Sequence, residues 1–176
     1  SLLRAIFEKH AMHVQQHRRD ILDGIQSSSS FSLDDLVSAL VLPVAEKLND
    51  PDGGEAYVRI NAQMAQNNVD RASPMQAGDG DPDDQQRRLT ELLHQRLRHL
   101  DTSVVELRLV LAVDLMFHTL ADLAERRQEN ADTSPLTHTP LVVSQLIDSI
   151  TALLETPPSD RSRELLRDYL RIRDLA

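Results

Sequence analysis

The 176-residue chain has no cysteine, no tryptophan, only two tyrosines and three phenylalanines, and only five glycines. The absence of cysteine excludes a disulfide scaffold, a thiolate metal site and a cysteine nucleophile. A chain poor in glycine and aromatic residues but rich in Leu, Ala, Arg and Gln favours helices over strands. We therefore expect an all-α protein, and the length predicts one domain over residues 1–176.

Basic residues are also scarce, since 19 Lys and Arg stand against 28 Asp and Glu, for a net charge of −9. This balance disfavours direct nucleic-acid binding, because phosphate contacts need clustered cations. No stretch approaches the ~20 apolar residues of a membrane span, and no secretory signal is visible. We expect a cytoplasmic protein without membrane contact.

Sequence features of catalysis are missing as well. There is no glycine-rich phosphate loop and no G-x-S-x-G elbow. The carboxylates are numerous but scattered over the predicted helix exteriors, so no acid–base pair can be nominated. We predict that the chain is not an enzyme and that it uses no cofactor.

What the sequence has in abundance is helical periodicity. Apolar residues recur at helical spacing in seven segments, which are 2–25, 32–48, 55–66, 83–99, 104–124, 141–154 and 159–175. Ser32 and Asp35 predict a capping box at the start of the second helix, and Pro43 predicts a kink or a helix junction. Asp101 or Thr102 is expected to cap the fifth helix. Residues 70–86 contain two prolines, two glycines and five aspartates, which predicts a mobile acidic loop.

The segment 104–124 is the most apolar of the chain, and its two faces differ. One face is purely apolar, whereas the opposite face carries Asp114 and His118. A helix that is apolar nearly all round must be buried on both sides, so we expect the clean face to meet a partner subunit. With 141–154 it would form half of a four-helix dimer bundle. The predicted interface residues are Leu109, Met116, Val142, Leu146 and Ile150. The alternative is that both helices are central to a monomer core.

Asp114 and His118 are four residues apart and therefore point the same way on a helix. They form either a self-satisfied polar pair or a polar anchor in a ligand cavity. A metal site would need further converging ligands, and we predict none. His10 and His17 fall in the apolar stripe of the first helix, where they are either core groups or cavity groups. The candidate ligand-binding residues are His10, His17, Tyr57, Asn61, Met64, Asp114 and His118.

Several phrases of the sequence resemble one known family. They are LLRAIFEKH at 2–10, the stretch 36–48 with Leu-Val-Leu-Pro ending at Pro43, NDPDGGEAY at 49–57, and HTLADL at 118–123. In this order they are similar to the C-terminal part of the TetR family of bacterial transcriptional repressors.

The resemblance implies a helical ligand-binding and homodimerisation domain that follows a helix-turn-helix module, which is absent from this chain. A small apolar or amphipathic effector would enter a cavity among the helices and shift the first helix. That shift would change the spacing of the two helix-turn-helix modules of a dimer. Operator DNA would be contacted only through this missing N-terminal module. The alternative, from another class, is a helical scaffold that binds a protein partner and no small molecule.

Overall fold

The computed structural model describes residues 2–28, 30–67, 84–129 and 134–173, and all of their regular structure is helical. The predicted all-α class is confirmed, and each of the seven predicted segments corresponds to one α-helix. These are α1 Leu2–Ser27, α2 Leu33–Ala45, α3 Gly54–Asn67, α4 Asp84–Arg96, α5 Thr102–Glu129, α6 Thr139–Glu155 and α7 Asp160–Arg173, with a 3-10 helix at Glu46–Asn49 after α2.

Side-chain caps fix where several helices begin. At α2 the Asp35 N–H donates to Ser32 Oγ at 3.1 Å, and the Ser32 N–H donates to Asp35 Oδ2 at 2.7 Å, which confirms the capping box. Before α5 the Ser103 N–H donates to Asp101 Oδ1 at 2.9 Å, so Asp101 is the capping residue there. The cap of α6 was not predicted: His138 Nδ1 accepts the Leu141 N–H at 3.2 Å.

The predicted loop 70–86 overlaps the start of the predicted helix 83–99. The structure begins α4 at Asp84, and Gln85 is buried. Acidic residues are stabilised in the first turn of a helix by the exposed backbone N–H groups, so an acidic run marks a helix start as readily as a loop. Residues 70–83 of the predicted loop lie outside the described residues.

The core is built around α2, nine of whose thirteen residues are buried. This helix packs against α1, α4 and α6, while α5 packs against α3 and α6. One apolar face of each of these helices closes the same cluster of Leu, Val, Ile and Ala side chains. None of the helices in the described residues is long and apolar enough to cross a membrane.

Pro43 lies inside α2, which continues to Ala45 and passes directly into the 3-10 helix, as the predicted junction requires. Because proline has no N–H, the carbonyl four residues earlier, that of Ala39, loses its helical donor. Arg18 of α1 replaces it: its Nε donates to Ala39 O at 3.1 Å, and its Nη2 donates to Leu40 O at 3.4 Å. The Arg18 side chain is buried between the two helices.

The last helix, α7, differs from the other six. None of its residues is buried, and it takes part in none of the extensive helix–helix contacts. Leu165, Tyr169 and Ile172 are exposed along one side of it.

Candidate functional site

His10 is the most deeply buried polar group among the candidates, with none of its side chain exposed. It leaves α1 toward the turn that precedes α3. Its Nε2 lies 3.1 Å from Asp52 O, and its Nδ1 lies 3.6 Å from Asp50 Oδ2. A carbonyl oxygen only accepts hydrogen bonds, so Nε2 carries the proton in this contact. His10 therefore holds α1 against the backbone of the turn.

The turn that receives His10 is closely constrained. Asp50 Oδ1 accepts the Asp52 N–H at 3.0 Å and Asp50 Oδ2 accepts Lys47 Nζ at 3.2 Å; these two donors hold the pKa of the Asp50 carboxyl below its usual value. Gly53 has a φ of 99°, which a residue with a side chain rarely adopts. At Gly54 a Cβ would lie 2.0 Å from Lys47 O. The two glycines are thus required by backbone geometry.

The Tyr57 ring of α3 packs against His10, and Phe7 of α1 packs against Tyr57. The Tyr57 ring lies 5.7 Å from the His10 ring and 5.1 Å from the Phe7 ring, centroid to centroid. Tyr57 is buried, whereas Phe7 is half-buried. Of the predicted ligand-binding residues, His10 and Tyr57 are brought together by their side-chain rings. The two rings pack against each other at the junction of α1 and α3.

The other candidates on α1 and α3 make different contacts. His17 is half-buried seven residues further along α1, with its Nδ1 2.9 Å from Glu46 Oε2 of the 3-10 helix. Asn61 is half-buried and donates to the Tyr57 carbonyl of its own helix at 2.8 Å. Met64 is 38 % exposed. The face of α3 that carries Met64 is therefore open to solvent.

The two faces of α5 have the reverse of the expected orientation. The clean apolar face is turned into this chain's own core, where Ala112, Val113, Met116, Leu120 and Leu123 are buried. The face that carries Asp114 and His118, both half-buried, also carries three exposed leucines. These are Leu107, Leu111 and Leu115, here called the α5 stripe.

Most of the predicted dimer residues lie inside the single chain. Met116, Leu146 and Ile150 are almost completely buried within the subunit, and a side chain without exposed surface adds no contact area to a partner. They stabilise the core of their own chain. Leu109 and Val142 are half-buried and keep some surface.

Sequence reasoning missed the contacts that tie the end of α5 to the same turn. Arg127 Nη1 donates to Leu48 O at 3.2 Å, and Gln128 Nε2 donates to Glu55 Oε2 at 2.8 Å. Arg127 also reaches the Asn49 side chain at 3.4 Å. Nothing in the sequence distinguishes this arginine from the neighbouring Arg126. Residues 48–55 are therefore contacted by both α1 and α5. Within the described ranges, no group of three or more His, Asp or Glu residues is arranged to hold a metal ion.

This architecture defines an all-helical domain whose first helix is bound through a buried histidine to a turn that also receives the end of the long helix α5. A family model described as "Tetracyclin repressor-like, C-terminal domain" matches residues 38–152, more than half of the chain. The chain belongs to this family, as its resemblance to TetR regulators predicted. The family is regulatory rather than enzymatic. Searches of curated proteins and of solved structures give no significant match.

Proposed function

We propose that this chain is the effector-sensing and homodimerisation domain of a TetR-type transcriptional repressor. It would control operator binding by a helix-turn-helix module joined to α1. The observation that carries the proposal is the contact of the wholly buried His10 with the turn before α3, because it makes the position of α1 depend on the packing of α3. Family membership supplies the regulatory context.

The coupling runs through residues 48–55. A small apolar or amphipathic molecule that packs beside Tyr57 changes the packing of its ring on His10, and with it the contact between α1 and the turn. Arg127 connects the same turn to α5, so both subunits of a dimer built on α5 register the change. The effector regulates only if it binds the two arrangements of α1 with different affinity. Asn61, Met64, Asp114, His118 and His17 remain candidates for its polar and apolar contacts.

The dimer face in this proposal is the α5 stripe. Its three leucines are between 37 % and 61 % exposed in the single chain, and they are spaced one turn apart. An apolar row of this kind on a surface helix is typical of a subunit contact. The interface thus moves from the predicted clean face to the opposite face of the same helix.

A matched pair of methionine variants tests the effector site. A panel of apolar and amphipathic small molecules is first screened by thermal shift against the wild-type chain, since a ligand at 100 times its Kd stabilises the fold by about 2.7 kcal/mol. The hits are then tested against Met64→Glu on α3 and against Met12→Glu, the same change at an exposed position of α1. The proposal expects binding to be lost in the first variant alone. Equal affinity for both variants would place the ligand elsewhere.

The second candidate function is a helical scaffold for a protein partner, and the exposed apolar rows of α5 and α7 favour it. The two proposals predict different results in the thermal-shift screen. A scaffold gives no stabilising small molecule, whereas an effector domain gives at least one whose binding depends on Met64.

A further inference from the structure

Three basic side chains of α1 meet three carboxylates of one short segment, residues 46–52, which comprises the 3-10 helix and the start of the turn after it. The pairs are Lys9 with Asp52, His10 with Asp50, and His17 with Glu46, at N···O distances of 3.6, 3.6 and 2.9 Å. Lysine carries its charge throughout the neutral range, whereas an imidazole gains or loses its charge there. Two of the three pairs are therefore ion pairs only when a proton is bound.

Both imidazoles have a position for an additional proton near a carboxylate. Nδ1 of each ring is shielded from solvent. At His10 the Nε2 proton is directed at Asp52 O, so a second proton would lie on Nδ1, on the side of Asp50. The charged ring would then donate to a carbonyl on one side and face an anion on the other. At His17 the added charge would turn the short contact with Glu46 into an ion pair.

We propose that the contact between α1 and the segment 46–52 is proton-dependent: when His10 and His17 take up protons, the contact tightens and α1 is held more firmly. The inference rests on the proposed function only for its consequence, which is that acidification opposes a displacement of α1 by an effector. The strengthening itself is Coulomb attraction, and salt screens it least at His10, whose side chain is wholly buried.

The charged groups around His10 leave the sign of this effect unchanged. Lys47 Nζ lies 3.2 Å from the same Asp50 carboxylate and offsets part of the attraction, while Lys9 is balanced by Asp52. The Asp52 N–H and the Lys47 ammonium hold the pKa of the Asp50 carboxyl below its usual value, so this carboxylate is an anion wherever histidine titrates. From α3 the His10 ring receives the uncharged ring of Tyr57.

Around His17 the opposing charge is Arg18 on the same helix, whose guanidinium donates to the Ala39 and Leu40 carbonyls of α2. His13, one turn earlier on α1, is exposed to solvent. Charged side chains of the helices that pack on α1 have other contacts. These include Asp34 and Asp35 in the first turn of α2, Glu55 and Arg59 of α3 beside Gln128 of α5, and Arg88 of α4 beside Asp23. The sign at His17 is therefore set by Glu46.

Double-mutant cycles at two pH values test the proposal in the chain as it stands. His17→Gln, Glu46→Gln and the double variant are unfolded in urea at about pH 8 and about pH 5.5, the range in which histidine titrates. The coupling between the two side chains, expressed as a ratio of unfolding equilibrium constants, should be about two- to fivefold in mild acid and at least about twofold smaller near pH 8. The cycle of His10→Gln with Asp50→Asn should change in the same direction, since asparagine retains the Oδ1 that accepts the Asp52 N–H.

The Lys9–Asp52 pair is the matched control, because it joins the same two elements without an imidazole. The cycle of Lys9→Gln with Asp52→Asn should give the same coupling at both pH values. If that coupling rises in acid as much as the others, or if the coupling at either imidazole pair fails to rise, the proposal is overturned. Where His10→Gln does not fold, Asp50→Asn alone decides for that pair, because it should destabilise the chain more in acid than near pH 8. The cycles need no effector, so they can succeed while the thermal-shift screen finds none, which keeps a failure of the proposed function distinguishable from a failure here.

Discussion

Arg18 offers the most direct test of how α1 is held, because its role follows from a proline in another helix. The substitution Arg18→Met keeps the aliphatic stem but removes every donor. In the wild type the Arg18 guanidinium donates to Ala39 O, because Pro43 has no N–H to do so. In the variant Ala39 O loses this donor and has no helical donor to replace it. A buried carbonyl that loses its partner costs about 1–3 kcal/mol.

The expected loss is about 2–3 kcal/mol, because hydrogen bonds from charged donors are stronger than neutral ones. This is a large part of the 5–15 kcal/mol that stabilises an ordinary domain. Arg19→Met is the matched control on the next residue of α1, which is exposed, and it should change the unfolding free energy by less than about 0.5 kcal/mol. Urea unfolding followed by circular dichroism at 222 nm measures both.

A double-mutant cycle separates the orphaned carbonyl from the rest of the Arg18 contacts. Pro43→Ala returns an N–H to position 43, which can donate to Ala39 O in the ordinary helical way. Arg18→Met should therefore cost about 1 kcal/mol less in the Pro43→Ala background than in the wild type. Equal costs in the two backgrounds would refute the explanation, since the arginine would then stabilise the protein by something other than replacing the missing donor.

Three further predictions concern the N-terminal cap of α2, the turn before α3, and the buried and exposed apolar residues of α6 and α5. Ser32→Ala should lower the unfolding free energy by about 0.5–2 kcal/mol. The Ser32 N–H and hydroxyl hold the pKa of Asp35 below its ordinary value. The stability that results is present above the unfolded pKa and is lost as pH falls through the folded one. The variant keeps the N–H and loses the hydroxyl, so its deficit in unfolding free energy should become smaller, but not vanish, in acid. Gly54→Ala should cost about 1–3 kcal/mol in urea unfolding, because its Cβ would meet Lys47 O. Ile150→Glu should unfold the chain, whereas Leu111→Glu should leave the circular dichroism unchanged and split the dimer in light scattering; the opposite pair of results would return the interface to the predicted face.

The helices were predictable because their signals are local. Apolar spacing, the Ser32–Asp35 box and the turn residues at 49–54 each act over a few residues, and each predicted segment became a helix. His10 and Tyr57 were also selected, since a histidine in an apolar stripe must find a buried partner. That partner, the carbonyl of Asp52, was not foreseeable, because a backbone acceptor has no side-chain signature.

Arg18 escaped prediction for a related reason. A buried arginine looks like any surface arginine in the sequence, and its neighbour Arg19 is indeed exposed. The only mark of its role is Pro43, which is 25 residues away and on another helix. Pro43 indicates that Ala39 O lacks a helical donor. Only the packing of α1 on α2 shows which side chain supplies one.

The reversal of the α5 faces has a physical cause that lies in the periodicity argument itself. A helix that is apolar on all sides must be covered on both sides. Its periodicity does not show which side faces the chain's own core and which faces a partner. The clean face was expected at the partner because polar groups need something to bond. The structure places it in the core instead, where five residues of it are buried, and leaves the leucines beside Asp114 and His118 at the surface. A core tolerates polar groups less than an interface rim does, because water still reaches the rim. The two polar residues therefore favour their own face of α5 for the proposed interface, while the clean face lies in the chain's own core.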